Sequence, residues 1–161
     1  MDQLDRKKIS VRFFREAFEA QAHGHFDEAV FLYQKSVEAF PTPEALTFMG
    51  WSLSFLGKFE EAIKVCERAI QLDPSFGNPY NDIGAYLIEL NKFDEAVPYL
   101  EKAIRAPRYD TQHFAHFNLA RIWEKKGMIK KAMQTYQRAI EEDPEYVPPR
   151  EALERLKYLL N

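Results

Sequence analysis

The chain has 161 residues, 46% hydrophobic and 29% charged, with a formal net charge of -3. This length fits one domain that buries roughly 70% of its unfolded surface, somewhat less if it is elongated. Interspersed charges argue against a nucleic-acid footprint, no apolar run could span a bilayer, and the polar start is no signal peptide, so a soluble protein, cytoplasmic by default, is expected.

The opening residues, Met1 to Lys8, are mostly polar and either extend the first helix or fray. A period then sets in. Ala29, Ala62, Ala96 and Ala132 recur at spacings of 33, 34 and 36 residues, and the same neighbours recur with them. A period of this size marks a solenoid of stacked units. Five residues before each alanine stands Gly24, Gly57, Asn91 or Gly127, the residue types that tolerate the left-handed backbone ending a helix. Each unit is therefore read as a helix, a turn and a second helix.

The first unit, about 10–42, is the least regular: Glu16 stands where later units have a large apolar residue, Ala20 where they have Leu53 or Leu87, and Ser36 where they have Ala69, Ala103 or Ala139. The second, 43–76, opens on Thr42-Pro43-Glu44, a capping hydroxyl, a proline suited to a first turn and an acid near the positive helix end. Leu46, Met49, Gly50 and Leu53 then keep a helical period, and Asp73-Pro74 closes the unit. In the third, 77–112, Pro98 falls inside the second helix; with Asp94 as N-cap it would cause a mild kink, not a break. Two extra residues in Pro107-Arg108-Tyr109-Asp110-Thr111 predict a longer loop there. The fourth, 113–146, ends on Asp143-Pro144, and the amphipathic stretch at about 148–160 suits a helix capping the stack.

Gly50 and Gly84 lie within helices, where glycine costs about 1 kcal/mol against alanine. Close approach of the partner helix is the expected compensation, with Ala62, Ala69, Ala96 and Ala103 as the small side of the contact. Cys66, the one cysteine, cannot form an internal disulfide and reads as core packing.

A small residue in one helix, then Ala-x3-aromatic-x2-Ala in the next, closed by proline, resembles the tetratricopeptide repeat. The second unit matches almost throughout, at Met49-Gly50, Leu53, Gly57-Lys58-Phe59, Glu61-Ala62, Ala69 and Asp73-Pro74, and the resemblance covers about residues 10–146. It implies an all-α, right-handed superhelical solenoid of four helix-turn-helix units plus a C-terminal capping helix, about nine helices in one domain.

Signals for catalysis or metal binding are weak. His23 and His25 flank a turn, His113 and His116 sit three apart on a predicted helix, and neither pair has the further ligands that tetrahedral zinc needs. Glu60-Glu61 and Glu141-Glu142 read as solvated helix surface, and no glycine-rich loop follows a strand. We therefore expect no enzyme, cofactor or metal.

Function then rests on surface. The resemblance implies that a second stripe of each first helix lines a concave groove where peptides bind. Counted from the alanines, that stripe is Phe14, Arg15, Phe18 and Gln21; Thr47, Phe48, Trp51 and Phe55; Asn78, Asn81, Asp82 and Ile88; Phe114, Phe117, Asn118 and Arg121. The candidate binding residues are Phe14, Phe18, Phe48, Trp51, Phe55, Asn81, Asp82, Phe117, Asn118 and Arg121, with Phe18 and Trp51 as leading anchors. The competing reading packs Phe48, Phe55 and Phe114 between units.

Family members that grip a chaperone's terminal carboxylate do so with lysine, asparagine and arginine. The matching places here hold Phe14, Phe18, Phe48, Asn78 and Asp82 or, one unit on, Thr47, Trp51, Asp82, Phe114 and Asn118, so such a clamp is not expected. The expected function is an adaptor or scaffold that holds a partner peptide or helix. The alternatives are a self-assembling structural scaffold, a homo-oligomer joined through the irregular first unit, or a chaperone for a secreted or assembling subunit. Neither nucleic acid nor membrane insertion is expected.

Overall fold

Each helix pair is built around a turn of minimal length. Gly24, Gly57 and Gly127 have φ of 76°, 73° and 74°, and Asn91 takes the same left-handed conformation at φ 57°. The amide after each turn residue donates to the carbonyl five places earlier: His25 to Ala20, Lys58 to Leu53, Lys92 to Leu87, and Met128 to Trp123, at 2.8–3.0 Å. These bonds satisfy a carbonyl that the helix end would orphan. The donor residue is also the N-cap of the next helix, so the chain reverses without a loop.

The structure, a computed structural model, describes residues 1–161. Nine helices form: α1 (Gln3–Ala22), α2 (Phe26–Ala39), α3 (Pro43–Phe55), α4 (Phe59–Leu72), α5 (Asn78–Glu89), α6 (Phe93–Arg105), α7 (Gln112–Lys125), α8 (Ile129–Glu142) and α9 (Pro148–Leu160). Together they make a right-handed superhelical solenoid. The polar opening residues extend α1 instead of fraying, with the Asp2 carboxylate accepting from the Asp5 amide at 2.8 Å. Thr42 caps α3 through the Ala45 amide, with Pro43 at the first helical position.

Asp94 is not the N-cap of α6. Lys92 is the N-cap of α6, because the turn bond from its amide fixes it there, and Asp94 lies inside the first turn. Pro98 thus stands inside a helix that still runs unbroken to Arg105.

Within each pair the close approach is real, and its geometry is specific. A Cβ added to Gly50 would lie 2.8 Å from Cys66 Sγ and 3.2 Å from the Ala62 carbonyl oxygen; one added to Gly84 would lie 2.4 and 2.5 Å from Leu100 Cδ2 and Cγ. In the second and third pairs the side chain four residues after the repeated alanine thus sits on the small residue of the preceding helix. Ala62, Ala69, Ala96 and Ala103 are wholly buried around these contacts. In the irregular first pair, Ser36 replaces alanine opposite Ser10. The two buried hydroxyls lie 3.0 Å apart; Ser36 Oγ is also 2.8 Å from the Ser10 carbonyl, and Ser10 Oγ 3.0 Å from that of Phe40, so polar replacement is met by polar partners.

Stacking gives the solenoid two sides. α1 packs on α3, α3 on α5 and α5 on α7, whereas second helices touch chiefly the first helices before and after them. First helices therefore line the inner, concave side. α9 packs on α8, burying Leu153 and Leu156 and pairing Arg155 with Glu124 through both guanidinium nitrogens at 2.7 and 3.0 Å.

Gly84→Ala improves helix propensity by about 1 kcal/mol but forces a methyl into Leu100, at a cost on the order of 1–3 kcal/mol. Denaturant unfolding is expected to show net destabilisation. In a Leu100→Ala background the same change is expected to stabilise; destabilisation in both backgrounds would contradict this contact.

Candidate functional site

On the concave side, α3 and α5 diverge around a hollow of about 650 Å³. One wall is the α3 face Thr47, Phe48, Trp51 and Phe55, residues that share one side at helical spacing. The other is the α5 face Asn78, Asn81, Asp82, Ala85, Tyr86 and Glu89. Phe59 and Phe76 contribute from beside them, and Tyr109, Thr111 and Phe114 close the end towards α7.

The two-residue insertion builds this end wall. Residues 107–111 do not loop out: the Arg108 amide donates to the Ser75 carbonyl at 2.9 Å, and the Gly77 amide to the Arg108 carbonyl at 3.1 Å, a short parallel bridge between two inter-unit segments. Arg108 also pairs with Asp73 and, at 3.1 Å, with Glu44. Hydrogen bonds from Ser75 and then the Arg108 guanidinium hold the Asp73 carboxyl below its usual range. This register lays Tyr109 against Gly77, where an added Cβ would come within 2.3 Å of Tyr109 Cβ.

Of the ten candidate residues, five line the hollow together: Phe48, Trp51, Phe55, Asn81 and Asp82. Trp51 and Phe55 are 44% and 56% exposed, with rings 5.3 Å apart and perpendicular. Packing claims part of each aromatic, as the competing reading held. Phe55 stacks on Phe26 at 4.5 Å, Phe48 meets Phe14 and Phe18 edge-on at 5.6 and 5.8 Å, and Phe114 packs on His113 and Tyr146. Phe14 is half-buried against Tyr33, while Phe18 keeps 49% exposure outside the hollow.

The α7 candidates are occupied with neighbours. Asn118 Nδ2 donates to Asn81 Oδ1 at 3.1 Å, and Arg121 reaches Asn118 at 3.3 Å and Glu89 at 3.4 Å. Phe117 packs on Tyr136 and Tyr146. Two members of the inner stripe are misplaced. Gln21 is buried, accepting from the Ser52 hydroxyl at 2.8 Å, and Ile88 is core. Ile88 lies off the face that Asp82 and Tyr86 share, and Glu89 holds the place equivalent to Phe55. Sequence reading missed Tyr86, Glu89 and Tyr109; the first two follow from helical spacing, and the third from no local signal.

Asp82 is the unusual group. Its carboxyl is half-buried on the floor of an aromatic hollow, with one long contact to Asn81 at 3.5 Å and no cation in ion-pair range. Desolvation pushes it up to about 7, and the Asn81 contact opposes this only in part. Tyr86 and Tyr109 are 5% and 6% exposed; neither hydroxyl has a hydrogen-bond partner within 3.5 Å, and Ser54 and Thr111 stand beside them. The histidines lie elsewhere: His116 Nδ1 is 2.7 Å from Glu142, His113 Nε2 3.5 Å from Asp143, and no group of three or more metal-ligating side chains gathers anywhere.

Below the ordinary carboxyl value of 3.8 Asp82 is neutral whether folded or not; as pH rises towards about 7 the unfolded chain ionises first and folded stability is lost. Asp82→Asn is therefore expected to stabilise the protein by about 1–2 kcal/mol near pH 8, the gain vanishing below about pH 4. A pH-independent difference in thermal unfolding would contradict this. Gly77→Ala is expected to displace Tyr109 and to destabilise by about 1–3 kcal/mol; unchanged stability would contradict the close contact.

The chain matches family models described as tetratricopeptide repeat over residues 43–76 and 81–147. It is 31% identical over 125 residues to BBSome complex member BBS4 of Bos taurus, covering 76% of this chain and 23% of that protein. It is 28% identical over 133 residues to TPR repeat-containing protein YpiA of Bacillus subtilis, covering 83% of this chain and 31% of the relative. The chain thus spans a third or less of the length of these relatives. PilF of Pseudomonas aeruginosa superposes with a TM-score of 0.87 at 15% identity, over 96% of this chain and 70% of that one. With the helix pairs, their turns and their small-residue contacts in place, the chain belongs to the tetratricopeptide repeat family.

Proposed function

We propose that this chain is a non-catalytic adaptor or scaffold whose concave face holds a peptide or helix of a protein partner. Its repeats belong to a family of protein-interaction modules, and one relative is a member of a multiprotein complex by name. The observation that carries the reading is the pair Trp51 and Phe55, large rings about half exposed at the mouth of a concave, mostly apolar hollow. Aromatic anchors of this kind dominate binding energy where they enter a partner's contact surface.

A second reading, self-association through the irregular first unit, rests on Leu4 and Val11, which stand exposed on α1. They suit end-to-end association with a second solenoid. Sedimentation separates the two: a mass that stays monomeric at all concentrations removes self-assembly.

For the groove, a displayed library of random peptides is selected on the wild-type protein. Trp51→Ala is expected to weaken the selected peptides by about ten- to a hundredfold, on the order of 2 kcal/mol, with circular dichroism unchanged. Full affinity in a folded Trp51→Ala protein would contradict the groove.

A further inference from the structure

We propose that the hollow between α3 and α5 takes a cationic side chain, arginine above lysine, of the segment held in the groove. This rests on the groove reading and adds the chemistry of its occupant. The lining contains two acids, Asp82 and Glu89, and no lysine, arginine or histidine. Glu89 is engaged by Arg121 at 3.4 Å. Asp82 has no counter-charge: the groups facing it are Asn81 and Tyr86 of its own helix, Cys66 of α4 and Tyr109 of the 107–111 segment, none of them cationic.

An uncompensated carboxylate in such a place is costly unless something pairs with it. A guanidinium carries five donors in a planar fork that matches a carboxylate, whereas an ammonium has three on a point charge. The exposed indole of Trp51 in the same lining suits the flat, weakly hydrated guanidinium through cation–π contact. A partner's carboxylate, by contrast, would meet Asp82 as a like charge.

Arginine binding also supplies Asp82 with the counter-charge that the unliganded fold lacks. Its carboxyl, raised by desolvation, is drawn back to the ionised form when a cation arrives, so affinity for an arginine-bearing segment rises as Asp82 ionises.

The test uses the peptides selected on the full chain. They are expected to share an arginine or lysine. Replacing that arginine by citrulline, which keeps the shape and removes the charge, should weaken binding at least tenfold on wild type and little on Asp82→Asn. Affinity for the arginine peptide should rise severalfold from pH 6 to pH 8 on wild type and stay flat on Asp82→Asn. Selected peptides without a basic residue, or citrulline binding as well as arginine, would overturn this inference while leaving the groove standing. Failure to select any peptide that distinguishes wild type from Trp51→Ala would overturn both.

Discussion

Everything in this molecule depends on how closely the two helices of a pair approach. At Gly50 and Gly84 there is no room for even a methyl, because Cys66 Sγ and the Leu100 side chain occupy the space. That approach fixes the angle between the helices. The left-handed turn residue and its bond back to the carbonyl five places earlier fix the connection. Repetition then puts first helices against first helices on the inner side, and a concave surface follows without being encoded anywhere as such.

The inner surface is not uniform. Towards α7 it is closed by its own side chains: Asn81, Asn118, Arg121 and Glu89 form one polar chain across two units, and Phe117 is spent on Tyr136 and Tyr146. Towards α1, Phe14 fills the space between Tyr33 and Phe48. Between these lies the open part, where Trp51 and Phe55 project and Asp82 lacks a partner. The 107–111 segment bounds it, pinned by Arg108 to residues of α3 and of the α4–α5 connection. An insertion that breaks the repeat period thus supplies a wall that a regular unit would lack.

Most of the fold was legible because its determinants are local and repeat. Glycine or asparagine at a fixed offset, a small residue opposite a large one, and a proline at each unit end recur every 33 to 36 residues. The inner stripe was legible as far as helical spacing was followed strictly, which placed Phe48, Trp51, Phe55, Asn81 and Asp82 together. Gln21 and Ile88 are misplaced by the same slip of one, each eight residues before its alanine where Phe55 stands seven before Ala62. Tyr109 was illegible because its position depends on a bridge to residues more than thirty places away. Residues that merely line and residues that are used up by neighbours look alike in a sequence; only burial and partner distances separate them.

The proposed groove puts a partner on the concave face around Trp51 and Phe55. Hydroxyl-radical footprinting of the protein saturated with a selected peptide tests it directly, with exposed Phe31 of α2 as the internal reference. Oxidation of Trp51 and Phe55 is expected to fall severalfold while that of Phe31 stays constant. Protection of Phe31 with Trp51 and Phe55 unchanged would place the partner on the other side of the solenoid and contradict the account.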